Sequence, residues 1–130
     1  MNHLNTLLIE GNFVRDPELK TTPKNTAICK FSIASTRYFK AGEGYEKEVS
    51  YFDIEAWAKL AEAVNTKGKK GRGCRLVGRL KQERWNDADG KPRSKFVIVA
   101  EHVEFKPVFK KDGQNDSGDA IDTAHDDIPF

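Results

Sequence analysis

The chain has 130 residues, 38% hydrophobic and 32% charged, which fits one soluble globular domain with an appendage rather than two domains. No apolar run approaches the length of a membrane-crossing helix, and the opening MNHLNTLLIEGNF lacks a basic leader or a small-residue cleavage site, so neither a span nor a signal peptide is expected. Charge is segregated: residues 1–111 hold all 22 Lys and Arg against 14 carboxylates, a net of +8, whereas residues 112–130 hold six Asp and no Lys or Arg, a net of −6.

Leu4-Asn5-Thr6-Leu7-Leu8-Ile9-Glu10 reads as an apolar-rich strand, with Gly11 marking a bulge or bend in its continuation. Asp16-Pro17-Glu18 breaks it, and the stretch 22–25, which lacks a glycine, predicts a turn. From Ala27, the residues Ala27, Cys29, Phe31 and Ile33 alternate with Ile28, Lys30, Ser32 and Ala34, the period of a strand. That strand carries Arg37, Tyr38 and Phe39 toward a glycine loop at 42–44. A third strand spans 47–56, with Phe52, Ile54 and Ala56 on one face and Tyr51, Asp53 and Glu55 on the other. Trp57, Leu60, Ala61 and Val64 recur at helical spacing, and Gly68 supplies a stop. After a basic loop at 67–72, Cys74, Leu76, Gly78 and Leu80 alternate with Arg75, Val77, Arg79 and Lys81 in a fourth strand. Asn86-Asp87-Ala88-Asp89-Gly90 predicts a hairpin turn, and the return strand runs from Ser94 to Phe105. Beyond Pro107 the composition shifts to Asp, Gly, Asn and Ser, which predicts disorder.

Five strands with one short helix between the third and fourth give an all-β chain in the order of a five-stranded OB-fold Greek-key barrel. An SH3-like barrel has the same strand count. One helix for five strands argues against a parallel βαβ sheet. Cys29 and Cys74, far apart and outside any CxxC, read as reduced, buried thiols of a cytosolic protein.

The sequence has no GxxxxGK[ST], GxGxxG or HExxH, and its three histidines lack partners at ligand spacing, so no catalytic residue, metal or cofactor is expected. Asp87 and Asp89 shape the hairpin turn on this reading rather than share a cation. Phe13, Phe31, Phe52, Phe96 and Phe105 suit a barrel core. A second group of aromatics, Tyr38, Phe39, Tyr51, Trp57 and Trp85, lies among Arg37, Lys40, Lys59, Lys81 and Arg84. Tyr51 shares its face with two carboxylates that cannot be buried unpaired, and Trp85 sits at the lip of a hairpin. Rings interleaved with cations suit unstacked bases, each ring stacking on one base while Lys and Arg follow the phosphates. Arg75, Arg79 and Lys81 fall on one strand face and make a basic ladder leading to Trp85. Asp53 and Glu55 put negative charge on the same surface as Tyr51.

These segments, in this order and spacing, resemble the bacterial single-stranded DNA-binding protein family over nearly the whole body. The resemblance is carried by Gly11-Asn12 with Asp16-Pro17-Glu18, by Phe31-Ser32-Ile33-Ala34 and Arg37, and by Lys59-Leu60-Ala61-Glu62. Gly78-Arg79-Leu80, Arg84-Trp85 and Asp89-Gly90 extend it. It implies an OB barrel over 1–109, assembled as a homotetramer, that binds and protects single-stranded DNA without catalysis or strict sequence preference during replication, recombination and repair. Family stacking aromatics carry over to Phe39, Tyr51, Trp57 and Trp85, and phosphate contacts to Lys59, Lys70, Lys81 and Arg84. Arg37, Tyr38 and Arg79 join them, since they lie among the same rings and cations. The terminal Asp126, Asp127, Ile128, Pro129 and Phe130, reached by a short acidic linker at 110–125, resemble the family's hook for replication and repair proteins. A cytoplasmic, nucleoid-associated protein is implied. An RNA-binding OB protein, a protein adaptor and a metal-dependent nuclease are the competing readings.

Overall fold

In the computed structural model, which describes residues 1–108, long β-hairpins follow from the period-2 patterns and close on one another. The elements are β1 (Leu7–Phe13), β2 (Glu18–Thr21), β3 (Ala27–Ala41), β4 (Gly44–Trp57), α1 (Ala58–Lys67), β5 (Gly73–Asn86) and β6 (Pro92–Phe105). Hydrogen bonding runs β1-β5-β6-β4-β3-β2, and a further β1–β3 pairing turns β1, β5, β6, β4 and β3 into a closed five-stranded barrel. This is the OB topology, with the helix in the gap expected from the sequence. The short β2 is the addition: Glu18 to Thr21 pairs with Lys30 to Ala27 along the edge of β3 that β1 leaves uncovered. Only four exposed residues form it, which is why Asp16-Pro17 reads as a break rather than as the approach to a strand.

Closure rests on few pairs. β1 meets β3 at Asn12–Ala34 and Phe13–Ile33, and β4 meets β6 in parallel at Ile54–Ile98 and Glu55–Val99. Two glycines permit the close approach. A Cβ on Gly11 would stand 2.6 Å from the Ala34 carbonyl oxygen, and one on Gly78, at the β5–β6 bulge, 2.5 Å from that of Val99. The turn at 22–25 solves its lack of glycine with Asn25, which takes a left-handed φ of 66°.

Inside, Phe13 stacks on Phe31 with centroids 4.8 Å apart and on Phe105 at 6.0 Å. Ile33, Ile54 and Leu76 fill the barrel, and Ala61 and Val64 of α1 join the same core. Cys29 and Cys74 are buried free thiols, and burial pushes both up to about 11, which keeps them in the unreactive protonated form. Phe96 departs from its expected place in the core, being 59% exposed. It lies on the strand face that carries Ile98 and Ala100 inward, but the β5–β6 hairpin has already left the barrel there.

At the start of α1 the chain turns sharply, with Ala58 at φ 57° directly after Trp57. Left-handed alanine costs about 1–2 kcal/mol, against roughly 0.5–1 for the freer unfolded chain of a glycine. Ala58→Gly is therefore expected to raise the urea midpoint slightly; a lower midpoint would show that Ala58 is not strained.

Candidate nucleic-acid interface

Residues opposite one another in a ladder point to the same face of the sheet, so the registers define the surface outside the barrel. Along β3 and β4, that outer face carries the pairs Ile28–Trp57, Lys30–Glu55, Ser32–Asp53, Ala34–Tyr51, Tyr38–Lys47 and Lys40–Tyr45. Glu55 lies beside Val99 of β6, and Val99 beside Arg79 of β5, so the same face continues onto the second hairpin. Alternation along β5 then brings Lys81, Glu83 and Trp85 to it, with Lys95 and Arg93 opposite the last two. Small side chains at Ala34 and Ser32 leave room beside Tyr51. Farther along the same face, a cleft of about 510 Å³ is bounded by the β1–β2 loop and lined by Arg15, Lys30, Ser32, Asp53, Glu55 and Lys95 among others.

The registers thus bring Tyr38, Tyr51, Trp57, Arg79, Lys81 and Trp85 to one surface, and all three of Tyr51, Trp57 and Trp85 are exposed (69%, 37% and 46%). Trp57 ends β4 rather than opening the apolar face of the helix. Phe39 and Arg37 lie on the opposite face of the β3–β4 hairpin, where the guanidinium sits 5.0 Å from the ring centroid and Nε donates to Glu48 at 3.1 Å. Arg84 takes the opposite face of the β5–β6 hairpin, bordering a second depression of about 520 Å³ with Gln82, Pro92 and Ser94. Lys59 is exposed on the first turn of α1. The backbone N–H of Lys70 donates to Asp16 Oδ1 at 2.8 Å, tying its loop to the wall of the cleft. Asp126, Asp127, Ile128, Pro129, Phe130 and the linker at 110–125 lie outside the described residues.

The two carboxylates beside Tyr51 have partners. Asp53 Oδ1 accepts from the Ser32 hydroxyl at 2.8 Å. Glu55 is 3% exposed, and its Oε1 accepts the Trp57 indole N–H at 3.0 Å with Lys81 Nζ 3.7 Å away. The basic ladder of β5 is likewise interleaved with acids: Arg75 lies between Glu10 and Glu104 in the register, Arg79 pairs with Glu101 at 3.7 Å, and Lys81 also approaches Glu83 at 3.8 Å. Lys30, Lys59, Arg84 and Lys95 make no ion pair among the described residues.

Tyr45, Lys30, Lys95 and Arg93 belong to this surface or its rim and were not singled out by the sequence. Tyr45 is missed because the sequence pattern starts this strand at 47; the tight Gly42-Glu43 turn, with Ala41 paired to Gly44, starts it at 44. Arg93 is set by the hairpin turn. Asp87 Oδ1 accepts the backbone N–H of Asp89 and of Lys91, both at 2.9 Å, and Oδ2 accepts Arg93 Nε at 3.0 Å. The Lys91 N–H first, and the Arg93 guanidinium second, hold the Asp87 carboxyl below the usual carboxylate range. Asp87 is thus a turn residue. Among the described residues no group of three or more His, Cys, Asp or Glu is placed to hold a metal ion.

The family model for the single-strand binding protein family matches residues 4–106. A "Single-stranded DNA-binding protein" of Treponema pallidum is 36% identical over 104 residues, covering 80% of this chain and 58% of that protein. One from Helicobacter hepaticus is 37% identical over 101 residues, covering 77% of this chain and 59% of that protein. "Single-stranded DNA-binding protein 2" of Chlorobaculum tepidum is 31% identical over 118 residues, covering 89% of this chain and 80% of that protein. The chain therefore spans less than two thirds of the length of the first two of these relatives. Among solved structures, a Plasmodium falciparum SSB complex with ssDNA superposes with a TM-score of 0.73 at 16% identity, covering 82% of this chain and 98% of that one. At that identity the likeness is one of fold.

Proposed function

As the chain belongs to the single-strand binding protein family, we propose that it binds single-stranded DNA on the outer face of β3, β4, β6 and β5, without catalysis and with little sequence preference. The observation that carries this reading is the set of exposed rings on that face, Tyr38, Tyr45, Tyr51, Trp57 and Trp85, with lysines and arginines between them. An exposed ring offers a stacking surface to any base, because every base has a π-face, and the cations follow the phosphates. A body of net charge +8 supports the same partner. Arg37 and Phe39, and Arg84, would serve a strand that wraps around the two hairpin arms, while Lys59 and Lys70 would serve its path past the helix and the β1–β2 loop.

Residues 1–109 are on this reading the binding domain, 110–125 a linker, and Asp126 to Phe130 the site that recruits replication, recombination and repair proteins. The Phe130 ring suits an apolar pocket with a basic lip, with Asp126 and Asp127 meeting the surrounding cations. Removing Phe130 is expected to leave the affinity for oligo-dT intact while abolishing capture of such a partner; equal capture by the shortened chain would refute the hook. Exposed Leu4 and Leu8, the latter opposite Val77 on the outside of the barrel, support assembly with further copies as a homotetramer. No helix among the described residues is long and apolar enough to cross a membrane; a cytoplasmic, nucleoid-associated location is part of the proposal.

Salt tests the function. The affinity for labelled oligo-dT, read by fluorescence anisotropy, is expected to fall with salt at a logarithmic slope of about −0.7 per phosphate neutralised. A flat response would contradict binding along a phosphate track.

A further inference from the structure

Glu55 is the only buried charged side chain among the described residues. Its ladder neighbour on β3 is Lys30, with which it makes no ion pair. Its ladder neighbour on β6 is Val99, itself buried, so an aliphatic side chain would pack at this position without the cost of taking a carboxylate out of water. What the carboxylate holds are two members of the proposed binding face. Its Oε1 accepts the indole N–H of Trp57 at 3.0 Å and lies 3.7 Å from the ammonium of Lys81.

Trp57 needs such a hold. It is the last residue of β4, the chain turns away immediately after it through Ala58 at φ 57°, and its cross-strand neighbour on β3 is Ile28. A bond from the indole N–H to a residue two positions back on the same face fixes the ring about χ1 and χ2. Lys81 arrives from the other hairpin, and its ammonium is shared between Glu55 and Glu83, the latter at 3.8 Å. The same buried anion therefore ties the end of β4 to β5 across β6.

We propose that Glu55 is a positioning residue of the DNA-binding face: its carboxylate orients the Trp57 ring for stacking and restrains the Lys81 ammonium, so that one buried group links a stacking ring to a cation. The proposal rests on the function proposed above, which is tested separately by whether the unaltered protein binds oligo-dT.

Two substitutions separate the two bonds. In Glu55→Gln the amide oxygen still accepts the indole N–H while the charge that holds Lys81 is gone; in Glu55→Val both are lost. The indole N–H resonance of Trp57, assigned in ¹⁵N-labelled protein by its loss in Trp57→Phe, reads the first bond directly. It is expected to keep its shift and slow solvent exchange in Glu55→Gln, and to move and exchange faster in Glu55→Val. Affinity for oligo-dT is expected to fall about tenfold or more in Glu55→Val, the lower part of what a stacking ring is worth, and much less in a Trp57→Phe background, which has no N–H to orient. In Glu55→Gln the salt slope is expected to steepen by roughly 0.7, as the released Lys81 reaches a phosphate. An indole resonance unmoved by Glu55→Val overturns the proposal, as does unchanged affinity of a folded Glu55→Val protein. If Glu55→Val does not fold, Glu55→Gln decides: an indole N–H as exchange-labile as that of an exposed tryptophan, in both it and the unaltered protein, overturns the proposal. If the unaltered protein does not bind oligo-dT, the functional reading fails, and the indole resonance still reports whether Glu55 holds the ring.

Discussion

Replacing Tyr51, Trp57 and Trp85 together by alanine is expected to lower affinity for oligo-dT by about two orders of magnitude or more, since each ring stacked on a base is worth about 1–3 kcal/mol. The three rings are spread over both hairpins, on β4 and β5, yet share one outer surface, so a single strand of DNA meets all of them. None is a core residue. All three lie on the face turned away from Ile54, Leu76 and Ile98, and the barrel's own aromatic stack is made of Phe13, Phe31 and Phe105. The triple variant should therefore still fold while losing its DNA, melting below the parent because the buried Glu55 carboxylate loses the indole N–H it accepts. Loss of folding instead would show that the rings hold the sheet together, and retained affinity would move the binding surface elsewhere.

Gly11→Val and Gly78→Ala are expected to be the most damaging single changes to the fold. At Gly11 a new Cβ would meet the carbonyl oxygen of Ala34 at 2.6 Å and its carbon at 3.0 Å; at Gly78 it would meet the Val99 oxygen at 2.5 Å and Ile98 Cγ2 at 2.9 Å. In both cases the obstacle is backbone, which cannot swing aside as a side chain can. Gly11 stands beside the two-pair β1–β3 seam, so pushing these strands apart opens the barrel where it has least hydrogen bonding to spare. Overpacking of this kind costs about 1–3 kcal/mol or more, which for a domain of this size lowers the melting temperature by roughly 5–20 °C. Gly90 is the control: it has open space around it, and only its φ of 79° resists a side chain. Melting temperatures of Gly11→Val and Gly78→Ala equal to the parent's would mean that the strands do not approach so closely.

The barrel is legible in the sequence because its signal is local. Period-2 alternation over 27–39 and 74–81 needs no partner to be read, and Asp89-Gly90 announces its own hairpin. Features that depend on which strands become neighbours are not legible. Tyr51, Asp53 and Glu55 can be put on one face by counting, but that Glu55 is buried and bonded to Lys81 follows only once β4 pairs with β6 and β6 with β5. Phe96 has the alternation of a core residue, and only the length by which β5 and β6 outrun the barrel exposes it. Phe39 and Tyr38 are adjacent in the chain and so fall on opposite faces, a consequence of unbroken pairing from Ile28–Trp57 to Ala41–Gly44. Trp57 fits a helical spacing with Leu60, Ala61 and Val64, yet the turn at Ala58 returns it to the strand and to the outer surface.

The chain has two tryptophans, Trp57 and Trp85, and both lie on the proposed binding face. Intrinsic fluorescence therefore reports on that surface alone. Titration of the folded protein with oligo-dT at low salt is expected to give deep, saturable quenching that salt reverses. Emission that stays constant through the titration, with the protein folded throughout, would rule out DNA binding on this face.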